Sequence, residues 1–366
     1  LRGFLARYNP KVLIDLGPKV FDSATVDTCI IVVQKSENEH RTEAVTIVDG
    51  RKNNIDISEI LKSNGVILSK LDSDTWFIGD DAEHRLKEKI ESIGRSLKNW
   101  SVKTYLGIIT GLNDAFIIDS ATRYAILNDC KDDAERDKTE KFFKPILQGK
   151  DVDKYYCEWT GTWAIVIPAG WTDKNRKGEK PELFIEREIP SLMRYLKPFE
   201  NRAKERYNKG DYWWELRNCT YYSEIEKEKI AWQRITQQPK FCLVDEGMYV
   251  LDSMAFFVSQ QNMKYLMAVL NSSTLLFYAK KVVHQYGFTG LRLSNQYVEI
   301  MPIPMVTSEN EVVVRQIEDL VDTIIYIKKQ DKLKDTSRYE CEINQLVYRL
   351  YELSSEEISV IERNAE

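Results

Sequence analysis

The chain has 366 residues, of which 43% are hydrophobic and 30% charged, and its net charge is −5. That length suits about two ordinary domains, and the composition is too apolar for a disordered chain. No apolar run approaches the roughly 18 residues a membrane span requires, and overall charge does not announce a polyanion-binding protein.

The opening LRGFLARYNPKVLIDLG lacks a sustained apolar core and a small-residue cleavage site, so it does not read as a signal peptide. Residues 12–17 (VLIDLG) and 28–35 (TCIIVVQK) are short β-branched apolar runs, hence strands, joined through the turn-prone residues 21–27. Two such strands cannot make a core alone, so they are expected to close a sheet whose earlier strands are missing. A further strand (44–50) and a short helix (56–63) follow. Residues 80–100 place Leu86, Ile90, Ile93 and Leu97 at helical spacing among charges, which predicts an amphipathic linker or packing helix. Short strands are then predicted at 105–111, 114–119, 162–168, 229–235 and 254–259, around a polar, aromatic-rich and partly helical stretch at 181–222. Mixed short strands with intervening helices indicate an α+β domain.

From residue 261 onward helices dominate. Residues 262–283 are apolar on much of their circumference and are expected to be buried, while Pro302 and Pro304 keep 296–306 extended. Val314, Ile317, Val321 and Ile324 form one stripe, and Ile343, Leu346, Val347 and Leu350 another. A capping box, with Glu357 reaching back, predicts a third helix starting at Ser354. These helices read either as the closing layer of the domain or as an arm that docks a partner protein.

The search for chemistry returns mostly negatives. The six cysteines (Cys29, Cys130, Cys157, Cys219, Cys242, Cys341) form no C-x-x-C pair, which argues against a zinc site or disulfide framework and fits a reducing cytoplasm. His40, His84 and His284 are scattered and add no metal site. The chain contains no G-x-G, no phosphate loop, no G-x-S-x-G elbow and no adjacent prolines. Its one [DE]-x-K, at Asp129 to Lys131, lies in an acidic, loop-like stretch rather than on a strand. No catalytic, cofactor or metal residue is therefore assigned within this chain.

What stands out is aromatic and polar. Residues 210–222 (GDYWWELRNCTYY) crowd aromatics around Glu215, Arg217 and Asn218, a mixture suited to stacking on bases and placing an arginine fork at a guanine edge, or equally to anchoring a loop through Trp213 and Trp214. Residues 229–235 (KIAWQRI) mix polar and apolar side chains on both faces, which suggests an edge or surface strand. In 107–116, Gly107 and Gly111 flank Thr110, where small residues admit either a phosphate or a neighbouring strand. Residues 171–217 hold twelve Lys or Arg against nine Asp or Glu, and the tail after Ser308 eight against fourteen, so a DNA-facing surface is permitted in the middle of the chain.

In order, GIITGLNDAFIID, FFKPILQGKDVDKYY, WWELRNCTYY, KIAWQRI, YLMAVLNSS and IMPIPMV resemble the TaqI-like C-terminal specificity domain of type IIG restriction-modification enzymes and related adenine-specific DNA methyltransferases, including phage-exclusion methylases. FDSATVDTCIIVVQK resembles the last strand pair of the methyltransferase fold that precedes that domain. The resemblance implies an α+β, short-strand target-recognition domain at 105–306, with a methyltransferase remnant at 1–50, a linker and helix at 51–104, and C-terminal helices at 307–366. It implies a parent that transfers a methyl group from S-adenosylmethionine to adenine, with or without a nuclease domain, and a chain that binds double-stranded DNA beside a methyltransferase domain missing here. By the same resemblance Thr110, Gly111, Asn113, Trp214, Glu215, Arg217, Lys229 and Arg234 are the expected DNA-binding positions: Arg217 and Arg234 for bases or phosphates, Lys229 for phosphate, and Glu215 either for a cytosine amine or to fix Arg217. The alternative is an interaction module of a phage-defence methylase complex, working through the C-terminal helices.

Overall fold

The computed structural model describes residues 1–17, 20–21, 28–47, 56–69, 71, 76–283, 285–286 and 290–365. About 46% of it is helix and 22% strand, in several small sheets, which makes the fold α+β. Residues 22–27 of the turn expected at 21–27, the end of the strand expected at 44–50, and His284 lie outside the described residues.

A four-stranded antiparallel sheet organises the molecule, in the order Phe241–Val244, Lys229–Gln233, Met254–Val258, Lys103–Leu106. Successive side chains of a strand point to opposite faces, and here both faces are covered. Ile230, Trp232, Phe241, Ala255 and Phe257 enter one large core. Ala231, Cys242, Val244, Met254 and Phe256 enter a second. The strand expected at an edge from its mixed composition is thus interior and buried. The reason is visible in Lys229, whose charged end turns to a backbone carbonyl and leaves its stem packed like an apolar residue.

The first core is closed by helices. The apolar run at 262–283 forms two helices, Met263–Asn271 and Ser273–Val282, because Ser272 leaves helical geometry and its hydroxyl accepts the Leu275 N–H at 3.3 Å. Asn271 exchanges two hydrogen bonds with the backbone of Phe241, at 2.9 and 2.8 Å, and so completes the outer strand of the sheet. Both predicted C-terminal stripes face this core: Val314, Ile317, Val321 and Ile324 on helix Glu311–Gln330, and Ile343, Val347 and Leu350 on Ser337–Leu350 are buried, with Leu346 partly so. The capping box forms at Ser354, whose N–H donates to Glu357 at 2.8 Å while its hydroxyl accepts the Glu357 N–H at 3.3 Å.

Two sequence expectations shift here. The helix expected over 80–100 spans Asp81–Ile93, and Leu97 sits in a following one-turn 3-10 helix. Gly94 ends it because this residue pairs with Pro304 in a two-stranded ribbon, where a Cβ would lie only 2.5 Å from the backbone of Pro302. The segment 296–306 is extended only at Pro302–Pro304, since Asn295–Glu299 forms one helical turn before the prolines intervene.

The second core lies under another four-stranded sheet, ordered Tyr249–Val250, Phe143–Leu147, Thr162–Ile165, Ile117–Asp119. Helices Pro181–Glu188 and Pro190–Leu196, each opened by a proline that needs no N–H partner there, bring Ile185, Leu192 and Leu196 onto it. At the N-terminus a separate sheet has the order Thr28–Gln34, Asn9–Gly17, Thr42–Thr46, Val66–Leu68. Its first strand is an edge whose Ile30, Ile31 and Val32 are 38%, 36% and 48% exposed.

Candidate nucleic-acid interface

Arg206 is the hub on which the aromatic segment is built. It is buried, its guanidinium lies 4.2 Å over the Phe116 ring, and it donates to the backbone carbonyls of Thr110, Glu215 and, at 3.0 Å, Trp213. Three carbonyls and a ring face serve the terminal nitrogens of the fork without a buried ion pair, while Nε is buried with no partner among the described residues. Burial pulls its pKa down to about 10, so the group stays charged at neutral pH. Arg206 thereby ties the 110–116 turn to the 213–215 loop, which are about a hundred residues apart in sequence. Nothing in the sequence set it apart from the other basic residues of 194–209.

The turn has its own supports. Gly111 adopts φ +68°, in the left-handed region that favours glycine, against Asn208. Thr110, buried, donates its hydroxyl to Asn113 at 2.5 Å and accepts the Leu112 N–H at 3.2 Å. Asn113 and Gly111 are exposed. Gly107 answers to a neighbouring strand, since a Cβ there would sit 2.1 Å from the Leu251 carbonyl oxygen.

In the aromatic segment, Trp213 and Trp214 are both buried and anchor the loop. Trp214 stacks on Tyr212 with centroids 5.0 Å apart, and its indole N–H donates to the Thr172 hydroxyl at 3.0 Å. Glu215 is fully buried. Its carboxylate accepts three backbone N–H groups, from Thr172 at 2.9 Å and from Gly170 and Asp211 at 3.2 Å. It serves as the cap of the loop leading into helix Trp171–Asn175, and no bond joins it to Arg217 among the described residues. Arg217 and Asn218, the next two polar positions, are exposed, and Arg217 makes no ion pair with the described residues.

Lys229 is fully buried. Its ammonium donates to the Lys227 carbonyl at 2.7 Å and lies 5.9 Å from the centre of the Phe256 ring. Burial lowers its pKa to about 8, with nearby Glu226 opposing. So placed, it presents no exposed ammonium to a phosphate. Arg234 is half-buried, donates to the Asp252 carbonyl at 3.1 Å, and leaves its Nε buried without a partner. The expected positions therefore divide: Gly111, Asn113 and Arg217 face solvent, Arg234 is partly covered, and Thr110, Trp214, Glu215 and Lys229 lie inside.

Residues 144–303 match the sequence profile of the TaqI-like C-terminal specificity domain. That span includes the loop of Trp213 to Arg217, the strand Lys229–Gln233 with Arg234 just after it, and both helices of the first core's apolar run. No curated protein matches the chain. Among solved structures, the chain is similar to the type IIL restriction-modification enzyme MmeI, in complex with DNA, at 10% identity with a TM-score of 0.55. That match covers 98% of this chain and 46% of that one, so the chain spans about half the length of this relative. A second match, the type IIG restriction endonuclease BpuSI, has 11% identity and a TM-score of 0.44 over 96% of this chain and 44% of that one.

Proposed function

Residues 144–303 are a TaqI-like C-terminal specificity domain, and from that premise we propose that the chain is the target-recognition part of a restriction-modification enzyme, binding duplex DNA and reading bases. The observation that carries this reading is the placement of Arg217 and Asn218. They emerge, exposed, from a loop held by Trp213, Trp214, Glu215 and Arg206. A rigid scaffold that presents an arginine fork and an amide is what bidentate readout of guanine and adenine requires. The MmeI structure, whose fold is similar over nearly this whole chain, is of a complex with DNA, which supports the same partner here.

Within this proposal the expected contact residues take two roles. Arg217, Asn113 and the Gly111 backbone face the duplex, with Arg234 at its margin. Thr110, Trp214, Glu215 and Lys229 position that surface from within. The strands of 1–50 in the N-terminal sheet, with the apolar edge strand Thr28–Gln34, are the closing part of a methyltransferase domain, and Val66–Leu68 of the following segment adds a strand to them. The segment 51–104 links them to the recognition domain at 105–306, and the helices of 307–366 close the fold. The parent then transfers a methyl group from S-adenosylmethionine to adenine, and the cofactor is held outside this chain. Burial of both C-terminal stripes favours this reading over a protein-docking arm.

The test is duplex binding by the chain, followed by fluorescence anisotropy at rising salt. Binding that weakens steeply with salt and is reduced about tenfold in Arg217→Ala supports the proposal. Absence of binding at low salt by a folded chain overturns it.

A further inference from the structure

A cleft of about 560 Å³ opens beside helix Trp171–Asn175, and its lining does not include Gly111, Asn113, Arg217 or Arg234. Its apolar walls are Phe142, Trp171, Tyr222 and Tyr249. Its charged rim carries Lys138, Lys141 and Lys144 with Glu188 and Glu226. Lys138 pairs with Glu188 at 2.6 Å and Lys144 with Glu226 at 3.2 Å, while Lys141 is exposed and makes no ion pair with the described residues. Three ammonium groups against two carboxylates leave one positive charge, the complement of a single phosphodiester or phosphate monoanion.

The aromatic wall is fixed in advance. Trp171 meets Phe142 edge-to-face at 4.9 Å and 88°, and the N–H groups of the residues on either side of it are the ones held by Glu215. The Tyr249 hydroxyl donates to Glu226 at 2.5 Å, and burial raises its pKa, so the ring stays neutral. Asn175 donates its side-chain N–H to the Trp171 carbonyl at 2.7 Å. A carbonyl only accepts, so the bonded atom must be the nitrogen, and Oδ1 is left to accept from a ligand. Aromatic walls, one acceptor and one surplus cation are the elements of a nucleotide site.

We propose that this cleft binds one unpaired nucleotide, either free or as a looped-out residue of a strand, with its base against Trp171 and its phosphate at Lys141. The proposal stands on the cleft itself and does not depend on the exposed Arg217 surface.

The test uses the full chain with deoxyadenosine 5′-monophosphate, a paired duplex, and the same duplex carrying one unpaired deoxyadenosine. Tryptophan fluorescence reports occupancy when compared with Trp171→Phe, since the chain has eight tryptophans. The expected result is quenching by the mononucleotide that Trp171→Phe loses, and binding of the bulged duplex about tenfold tighter than the paired one. Lys141→Glu, a change at an exposed position, should abolish that tenfold gain and leave paired-duplex affinity within about threefold. Mononucleotide binding without a gain for the bulge identifies a free nucleotide as the ligand. If neither probe changes the fluorescence, or if Lys141→Glu binds both as the parent does, the site is refuted. Failure to bind the paired duplex, with mononucleotide binding intact, would count against the duplex proposal alone.

Discussion

Replacing Glu215 separates a base-reading carboxylate from a structural one. In the folded chain this fully buried group accepts N–H bonds from Thr172, Gly170 and Asp211 at 2.9 to 3.2 Å. Glu215→Ala leaves the buried Thr172 N–H without an acceptor, at about 1–3 kcal/mol, while the N–H groups of half-buried Gly170 and exposed Asp211 can turn to water; it also opens a small cavity beside Gly210. A loss of about 2–4 kcal/mol follows, large for a single substitution. Glu215→Gln keeps one carbonyl oxygen but turns an NH₂ toward donors, so a smaller loss of about 1–2 kcal/mol is expected. Equilibrium urea unfolding measures both. Amide hydrogen exchange at Thr172, Gly170 and Asp211 should accelerate in each variant before the rest of the second core does. If Glu215→Ala unfolds within about 1 kcal/mol of the parent yet loses DNA binding, the structural role assigned to this carboxylate is wrong.

Other expectations follow from the same scaffold. Arg217→Ala, at an exposed position with no ion pair among the described residues, should change stability by no more than about 0.5 kcal/mol in urea unfolding while weakening specific duplex binding. Lys229, with a folded pKa of about 8 below its usual value of 10.5, binds fewer protons in the folded than in the unfolded state between those pH values. Stability should therefore rise with pH across that window, and the rise should disappear in Lys229→Met; an unchanged pH profile in the variant would contradict the burial argument. Gly107→Ala drives a methyl to 2.1 Å from the Leu251 carbonyl oxygen, so it should cost about 1–3 kcal/mol or more and loosen the pairing of 107–108 with 250–254, read by hydrogen exchange.

Much of the fold was legible because periodicity reports burial directly. The stripe of Val314, Ile317, Val321 and Ile324 and the capping box at Ser354 form as their spacing requires. What misled was composition without context. Residues 229–235 look like surface because they contain Lys, Gln and Arg, yet the strand is interior and its lysine stem is packed against the sheet. The run 262–283 is buried as its composition predicts, and the Ser272 hydroxyl capping the second helix marks where it divides in two. At the candidate site, the aromatic segment could be found from its density of Trp and Tyr, but not which of its polar residues turn inward. Glu215 and Arg217 are two positions apart and equally polar; their opposite fates depend above all on the N–H groups of Gly170 and Thr172, 45 and 43 residues away. No local pattern encodes a partner so distant in sequence.

The most direct test of target recognition is selection of duplexes by the full chain from a randomised library, carried through several rounds at moderate salt and repeated with Arg217→Ala. A recognition domain predicts one enriched short sequence, with at least one G·C or A·T position that loses its preference when Arg217 is removed. Recovery of unenriched duplexes by the folded chain, or an identical enriched sequence with Arg217→Ala, would contradict the reading of this surface as the one that reads bases.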